Sequence, residues 1–237
     1  MNDGIIDEFD IFKVSKFEEA SVDYRTVPET DVPYVVADNF YKDVEKVREF
    51  ANSLPYTKSS YICNSSPGRR VRLELDIREI QKIALGLLKI PNWLAIDIEP
   101  RVIFNKMRSN NVLKPEQTNP HIDAPKGYTA GFNCAMVLYL NTPEECRGGT
   151  GFYKHKGTGL IQVRNKYEST VVHKYFNGKA INFGRFMNES NEEWELIDLI
   201  EMKSNRAIFY PSNVFHSPYI TEGDFTEYDR FTQLGFF

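Results

Sequence analysis

From residue 94 onward the chain consists of short runs rich in β-branched and aromatic residues, each closed by Gly, Pro or Asn. AIDIEP, RVIFNKM, FNCAMVLYLN, GTGFYKH, WELIDLIEM, NRAIFYP and DRFTQLGFF are seven strand candidates. Most consecutive pairs leave no room for a crossover helix, segment 165 to 180 being the exception and a candidate insertion. A parallel, doubly wound sheet needs such helices between its strands, so the pattern excludes it. The expected fold is α+β and mainly β: an antiparallel double sheet or jelly roll with helices packed on one side.

The helices come early. PYVVADNF (33–40) is a β-branched run ending in a turn, and the following YKDVEKVREFANS repeats Val44, Val47, Phe50 and Ala51 at helical spacing. A second helix is marked by Asp76 as N-cap with Glu79 three positions on, then Ile77, Ile80, Ile83, Ala84 and Leu87 on one face. Residues 1–32 are acidic and weakly periodic and are expected to form an extension, with one domain over 33–237. At 237 residues and 41% hydrophobic content the chain can bury a sizeable core.

Composition narrows the setting. No apolar run approaches the roughly 20 residues needed to span a bilayer, and MNDGIIDEFD lacks the basic and apolar regions of a signal peptide. A cytoplasmic location with no membrane partner is expected. Cys63, Cys134 and Cys146 are odd in number and contain no CxxC pair, which fits reduced thiols. With a formal charge of −4, no overall field draws the protein to nucleic acid. Arg69, Arg70 and Arg72 form the densest basic cluster, expected as a solvated loop and strand edge.

NPHIDAP (119–125) places two potential metal ligands two positions apart in a chain with only four histidines. In extended backbone, positions i and i+2 share a face, so His121 and Asp123 enter the interior while Ile122 packs the other way. A third ligand is needed. His155 sits between two lysines and His173 in a possible helix or loop, whereas His216 follows the apolar run NRAIFYPSNVF. Two histidines and a carboxylate suit an open iron(II) site, and a zinc hydrolase can use the same set. Arg230 and Thr232 share a face of the last run. An arginine inside an apolar barrel needs an anion, and a dicarboxylate with its other end on iron would supply one. Gly148, Gly149 and Gly151 lack the Lys-Ser/Thr of a phosphate loop and read as a turn with a close strand approach.

The order HID, YLN with RGGTGFYKH, NRAIFYPSNVFH and DRFTQLGFF resembles the iron(II)- and 2-oxoglutarate-dependent oxygenases, in their prolyl hydroxylase-like branch, over about residues 95–237. The opening VVADNFYKDVEKVREFA is similar to the start of many such proteins. The resemblance implies a double-stranded β-helix, with His121, Asp123 and His216 as iron ligands and Arg230 on the distal 2-oxoglutarate carboxylate. It implies Tyr139 on that same carboxylate, Thr232 as a helper, and Asn105 where relatives offer a tyrosine to the co-substrate. The activity implied is hydroxylation of an unactivated carbon of a peptidyl or small-molecule substrate, consuming dioxygen and 2-oxoglutarate and releasing succinate and CO2. In related halogenases a small residue replaces the carboxylate ligand, so Asp123 argues for an oxygenase outcome. The alternative is a non-catalytic cupin-like module binding a metal or small acid; a nucleic-acid demethylase is disfavoured by the acidic balance. Substrate choice would fall to loops over the mouth: KSSYICNSSPGRR, KPEQTNP and the 164–190 segment with Lys166, Lys174, Lys179 and Arg185.

Overall fold

Alternating apolar runs build two antiparallel sheets. The computed structural model describes residues 11–16, 18–58, 67–74, 77–90, 101–111, 113–114, 117, 119–123, 134–176 and 185–237. The strands are β1 (Ser21–Thr26), β2 (Pro33–Asp38), β3 (Thr57–Lys58), β4 (Arg69–Leu73), β5 (Arg101–Met107), β6 (Cys134–Tyr139), β7 (Gly149–His155), β8 (Trp194–Glu201), β9 (Ala207–Pro211), β10 (His216–Tyr219) and β11 (Arg230–Phe236). Eight form a large sheet in the order β1-β2-β9-β6-β11-β5-β4-β3, and three form a small one, β10-β7-β8. Helices α1 (Val44–Ser53) and α2 (Arg78–Leu87) precede most strands, and α3 (Lys166–Phe176) falls in the expected insertion.

Period-two alternation assigns the two faces of the large sheet. Val35, Phe104, Met136, Leu138 and Phe209 join Val47 and Ala51 of α1 and Ile80, Ala84 and Leu85 of α2 in one apolar layer. Their neighbours in sequence, Val36, Ala135, Val137, Ile208 and Tyr210, join Phe152 of β7 and Ile200 of β8 in a second layer between the sheets. All six positions of β6 are buried because this strand has a layer on each side. Each large aliphatic or aromatic side chain so enclosed contributes about 1.5–3 kcal/mol.

Several expectations are refined. Asp43 caps α1, its side chain accepting from the Lys46 amide at 3.2 Å. Helix α2 begins after Ile77 with no side-chain cap; Asp76 lies outside the described residues, as does AIDIEP. Among the described helices, α1 and α2 pack on the large sheet, whereas Val172 of α3 packs with Tyr153, Trp194 and Phe215 by the small one. Within the segment expected as an extension, β1 pairs antiparallel with β2, Ser21 opposite Asp38. Cys134 and Cys146 are free thiols, and Cys63 lies outside the described residues. No helix among the described residues is long and apolar enough to cross a membrane.

Candidate functional site

His216 opens β10, where it pairs with Phe152 of β7, so the small sheet fixes its position. His121 joins it through a reciprocal backbone bridge: the His121 amide donates to the His216 carbonyl at 2.9 Å, and the His216 amide to the His121 carbonyl at 3.0 Å. Two residues on, the Asp123 amide donates to the Ser212 carbonyl at 2.7 Å. These bonds bring all three side chains together, with one ligand atom from each within 4.8 Å of the others. The His216 Nε2 to Asp123 Oδ2 distance is 3.1 Å, and His121 Nε2 to Asp123 Oδ1 is 3.6 Å. Ile122 turns away into the Tyr153–Trp194 cluster, as the alternation requires.

Protonation favours metal capture at two of the three groups. His216 Nδ1 donates to the Val214 carbonyl at 2.9 Å, which orients the ring and leaves Nε2 to face Asp123. Burial and the neighbouring His216 push His121 down to about 4, so it is neutral at pH 7, although its side chain keeps 42% exposure towards the mouth. Burial works against charge on both His216 and Asp123, but their mutual attraction outweighs it, raising His216 and lowering Asp123. Without a metal the two side chains attract one another across a buried contact, and a bound cation would compete with a proton for His216.

The same cavity is lined by Arg230, Thr232, Thr150 and Tyr210, with apolar walls from Met107, Val137, Leu234 and Phe236. Arg230 is 2% exposed, and one Nη donates to the Gly149 carbonyl at 3.1 Å. Its Nε and the Thr232 hydroxyl are buried with no hydrogen-bond partner among the described residues. Tyr139 lies beside them, its ring centroid 5.3 Å from the Arg230 Cζ and its hydroxyl 2.8 Å from the Thr150 Oγ1. Orphaned donors this deep cost free energy unless something accepts from them. Burial lowers the pKa of Arg230 against the pull of Tyr139, and no carboxylate among the described residues pairs with it.

Three further residues belong to the cavity although the sequence reading gave them no place in it. Arg70, expected as a solvated cation, is 8% exposed and lines the cavity, its Nε donating to Asn105 Oδ1 at 3.1 Å. Arg69 and Arg72 of the same strand are exposed. Tyr210 stacks edge-on against His216 at 4.8 Å, and its buried hydroxyl has no hydrogen-bond partner among the described residues. Thr150 was hidden among glycines whose role is steric: a Cβ on Gly149 would lie 2.1 Å from the Ile200 carbonyl oxygen, and Gly148 sits at φ +60°. Of the remaining histidines, His155 is buried and bonded to Thr158 at 2.8 Å, and the His173 side chain lies outside the described residues. So do Lys179 and the side chain of Lys174.

No curated protein matches the chain. Solved structures similar to it include a prolyl-4-hydroxylase from Pseudomonas putida, at 11% identity over 92% of this chain and 91% of that one, with a TM-score of 0.44. HygX from Streptomyces hygroscopicus with nickel and 2-oxoglutarate bound is similar at 15% identity over 86% and 82%, TM-score 0.40. SnoK, a non-heme alpha-ketoglutarate-dependent carbocyclase from nogalamycin biosynthesis, is similar at 11% identity over 86% and 78%, TM-score 0.45. One family matches residues 18–232, nearly the whole chain, and its description is "Family of unknown function (DUF6445)". The chain belongs to that family, DUF6445.

Proposed function

We propose that the protein is an iron(II)- and 2-oxoglutarate-dependent dioxygenase on a double-stranded β-helix, hydroxylating an unactivated carbon of a peptidyl or small-molecule substrate. The observation that carries this reading is one cavity with a three-ligand cluster and, apart from it, a buried guanidinium Nε and a hydroxyl with no hydrogen-bond partner among the described residues. Both groups fit the residues present. A structural zinc site has four protein ligands, whereas three leave coordination positions for an exogenous acid. Arg230 Nε and Thr232 Oγ1 are donors that a carboxylate would satisfy.

When bound, iron(II) and 2-oxoglutarate supply the oxidising chemistry, in which dioxygen is consumed and succinate and CO2 are released. The chain's own residues prepare the place. His121, Asp123 and His216 hold the cation, with the backbone bridge and the His216–Val214 bond fixing their directions. Arg230 and Thr232 orient the distal carboxylate, and Tyr139, anchored by Thr150, supports the guanidinium through its ring. Met107, Val137, Leu234 and Phe236 exclude water from the space between. The test is succinate release from 2-oxoglutarate by iron-loaded protein. Slow release without added substrate, abolished by Asp123→Ala, supports the reading; no release in the presence of iron, ascorbate and oxygen with a broad panel of acids and peptides counts against it.

A further inference from the structure

Three buried donors line the cavity with no hydrogen-bond partner among the described residues: Arg230 Nε, the Thr232 hydroxyl and the Tyr210 hydroxyl. A distal carboxylate accounts for the first two. Tyr210 is left over, and strand register sets it apart from them. Phe236 of β11 lies opposite Ala135 of β6, which lies opposite Tyr210 of β9, whereas Thr232 lies opposite Tyr139. Both rows face the small sheet by alternation. They are four positions apart along β11, about 14 Å at about 3.4 Å per residue. The Thr232 and Tyr210 hydroxyls are therefore offered from different ends of the cavity.

The Tyr210 end is that of His121, Asp123 and His216. Ser212, two positions beyond Tyr210, accepts from the Asp123 amide at 2.7 Å. The Tyr210 ring stands edge-on to His216 with centroids 4.8 Å apart and edge-on to Phe152 at 5.4 Å. Held on two sides, the fully buried ring has its hydroxyl fixed in the cavity wall. Burial, and after it the Asp123 carboxylate, push this phenol well above its ordinary value, so it enters the cavity as a proton donor. A phenylalanine would fill the same place and keep both ring contacts. The oxygen atom needs an acceptor that the described residues do not supply.

Building on the oxygenase reading, we propose that Tyr210 is a further co-substrate residue: its hydroxyl donates to the 2-oxo-carboxylate end of the acid, beside His216, while Arg230 and Thr232 hold the distal carboxylate. The cavity then recognises the acid at both ends. An acid lacking either group leaves one set of buried donors unsatisfied, which makes Tyr210 a determinant of which acid is accepted.

The experiment compares wild type, Tyr210→Phe and Thr232→Val, each loaded anaerobically with iron(II) and titrated with 2-oxoglutarate while the visible charge-transfer band is recorded. That band arises at the chelating end of the acid, so a donor to that end sets its energy. Tyr210→Phe should keep one equivalent of iron and a ligand-free Tm no lower than wild type. It should bind 2-oxoglutarate about tenfold more weakly, the equivalent of one lost charge-assisted contact, and show at saturation a band maximum displaced from that of wild type. Thr232→Val, which alters the distal end, should weaken binding with the saturated maximum unmoved; an equal displacement in both variants overturns the assignment of ends. Wild-type affinity and band in Tyr210→Phe overturn the proposal and leave the oxygenase reading standing. So does weaker binding with an unmoved maximum, which would place the hydroxyl at the distal end. A lowered ligand-free Tm, lost iron or a variant that does not fold would assign the hydroxyl to the fold or to support of His216, and equally overturns it. A wild type that binds iron and gives no band removes the oxygenase reading and the proposal with it.

Discussion

Replacing Arg230 with methionine tests whether this guanidinium exists for a ligand or for the fold. Methionine fills similar space without charge. The substitution deletes the 3.1 Å bond to the Gly149 carbonyl and the contact with the Tyr139 ring. Those losses cost about 1.5–3 kcal/mol for a charged hydrogen bond and about 0.5–2 kcal/mol for the cation–π contact. Against them stands relief of an orphaned buried Nε, about 1–3 kcal/mol, and of a desolvated charge with no carboxylate partner among the described residues, a further several kcal/mol. The ligand-free variant should therefore be as stable as wild type or more so, with a Tm gain of about 2–4 °C per kcal/mol for a chain of this size. Its 2-oxoglutarate affinity should fall about 10–150-fold, the equivalent of 1.5–3 kcal/mol. Thermal unfolding of the manganese protein, with and without 2-oxoglutarate, reads both quantities. A variant with a much lower ligand-free Tm and an undiminished 2-oxoglutarate shift would make Arg230 structural and refute the argument.

Other outcomes follow from the same geometry. His121→Ala and His216→Ala should each lose stoichiometric iron(II) binding, measured by anaerobic equilibrium dialysis; full retention in both would mean the ligands lie elsewhere. Metal uptake should strengthen as pH rises through the raised His216 value, with proton release seen by an indicator in weak buffer; pH-independent uptake contradicts this. In the metal-free protein the sign is opposite for stability. The His216 contribution is fully present below its unfolded pKa and fades as pH rises through the folded value, while that of Asp123 is present above its unfolded pKa and fades as pH falls through its lowered folded value. Gly149→Ala should destabilise by about 1–3 kcal/mol, because the new methyl would meet the Ile200 carbonyl of β8; an unchanged urea midpoint would refute that close approach.

Much of the fold and of the His121–Asp123–His216 cluster was legible because both depend on period-two alternation. HID places His121 and Asp123 on one side, and the β6 run alternates Met136 and Leu138 towards the helices with Ala135 and Val137 towards the small sheet. The same rule paired Arg230 with Thr232. Arg70 escaped because RRVRL has no apolar alternation: Arg69 and Arg72 are exposed, and nothing local distinguishes the one arginine that turns inward. Only its register with Asn105, set by strand pairing between residues 35 positions apart, does so. Tyr210 escaped because tyrosine is at home in any strand, and its orphaned hydroxyl is visible only once β9 lies beside His216. HSPY, which His216 opens, is short and contains proline and carries no strand signal of its own; its pairing with β7 makes it a strand. Likewise β1 shows little burial of its own and forms because β2 offers an edge.

The most direct measurement is an anaerobic titration of iron(II) and 2-oxoglutarate into metal-free protein, watching the visible charge-transfer band of a chelated iron and oxo-acid complex. The account predicts a band that saturates at one equivalent of each and disappears in Asp123→Ala. Iron binding with no band would contradict it, leaving a metal-binding protein whose buried Arg230 serves some other acid.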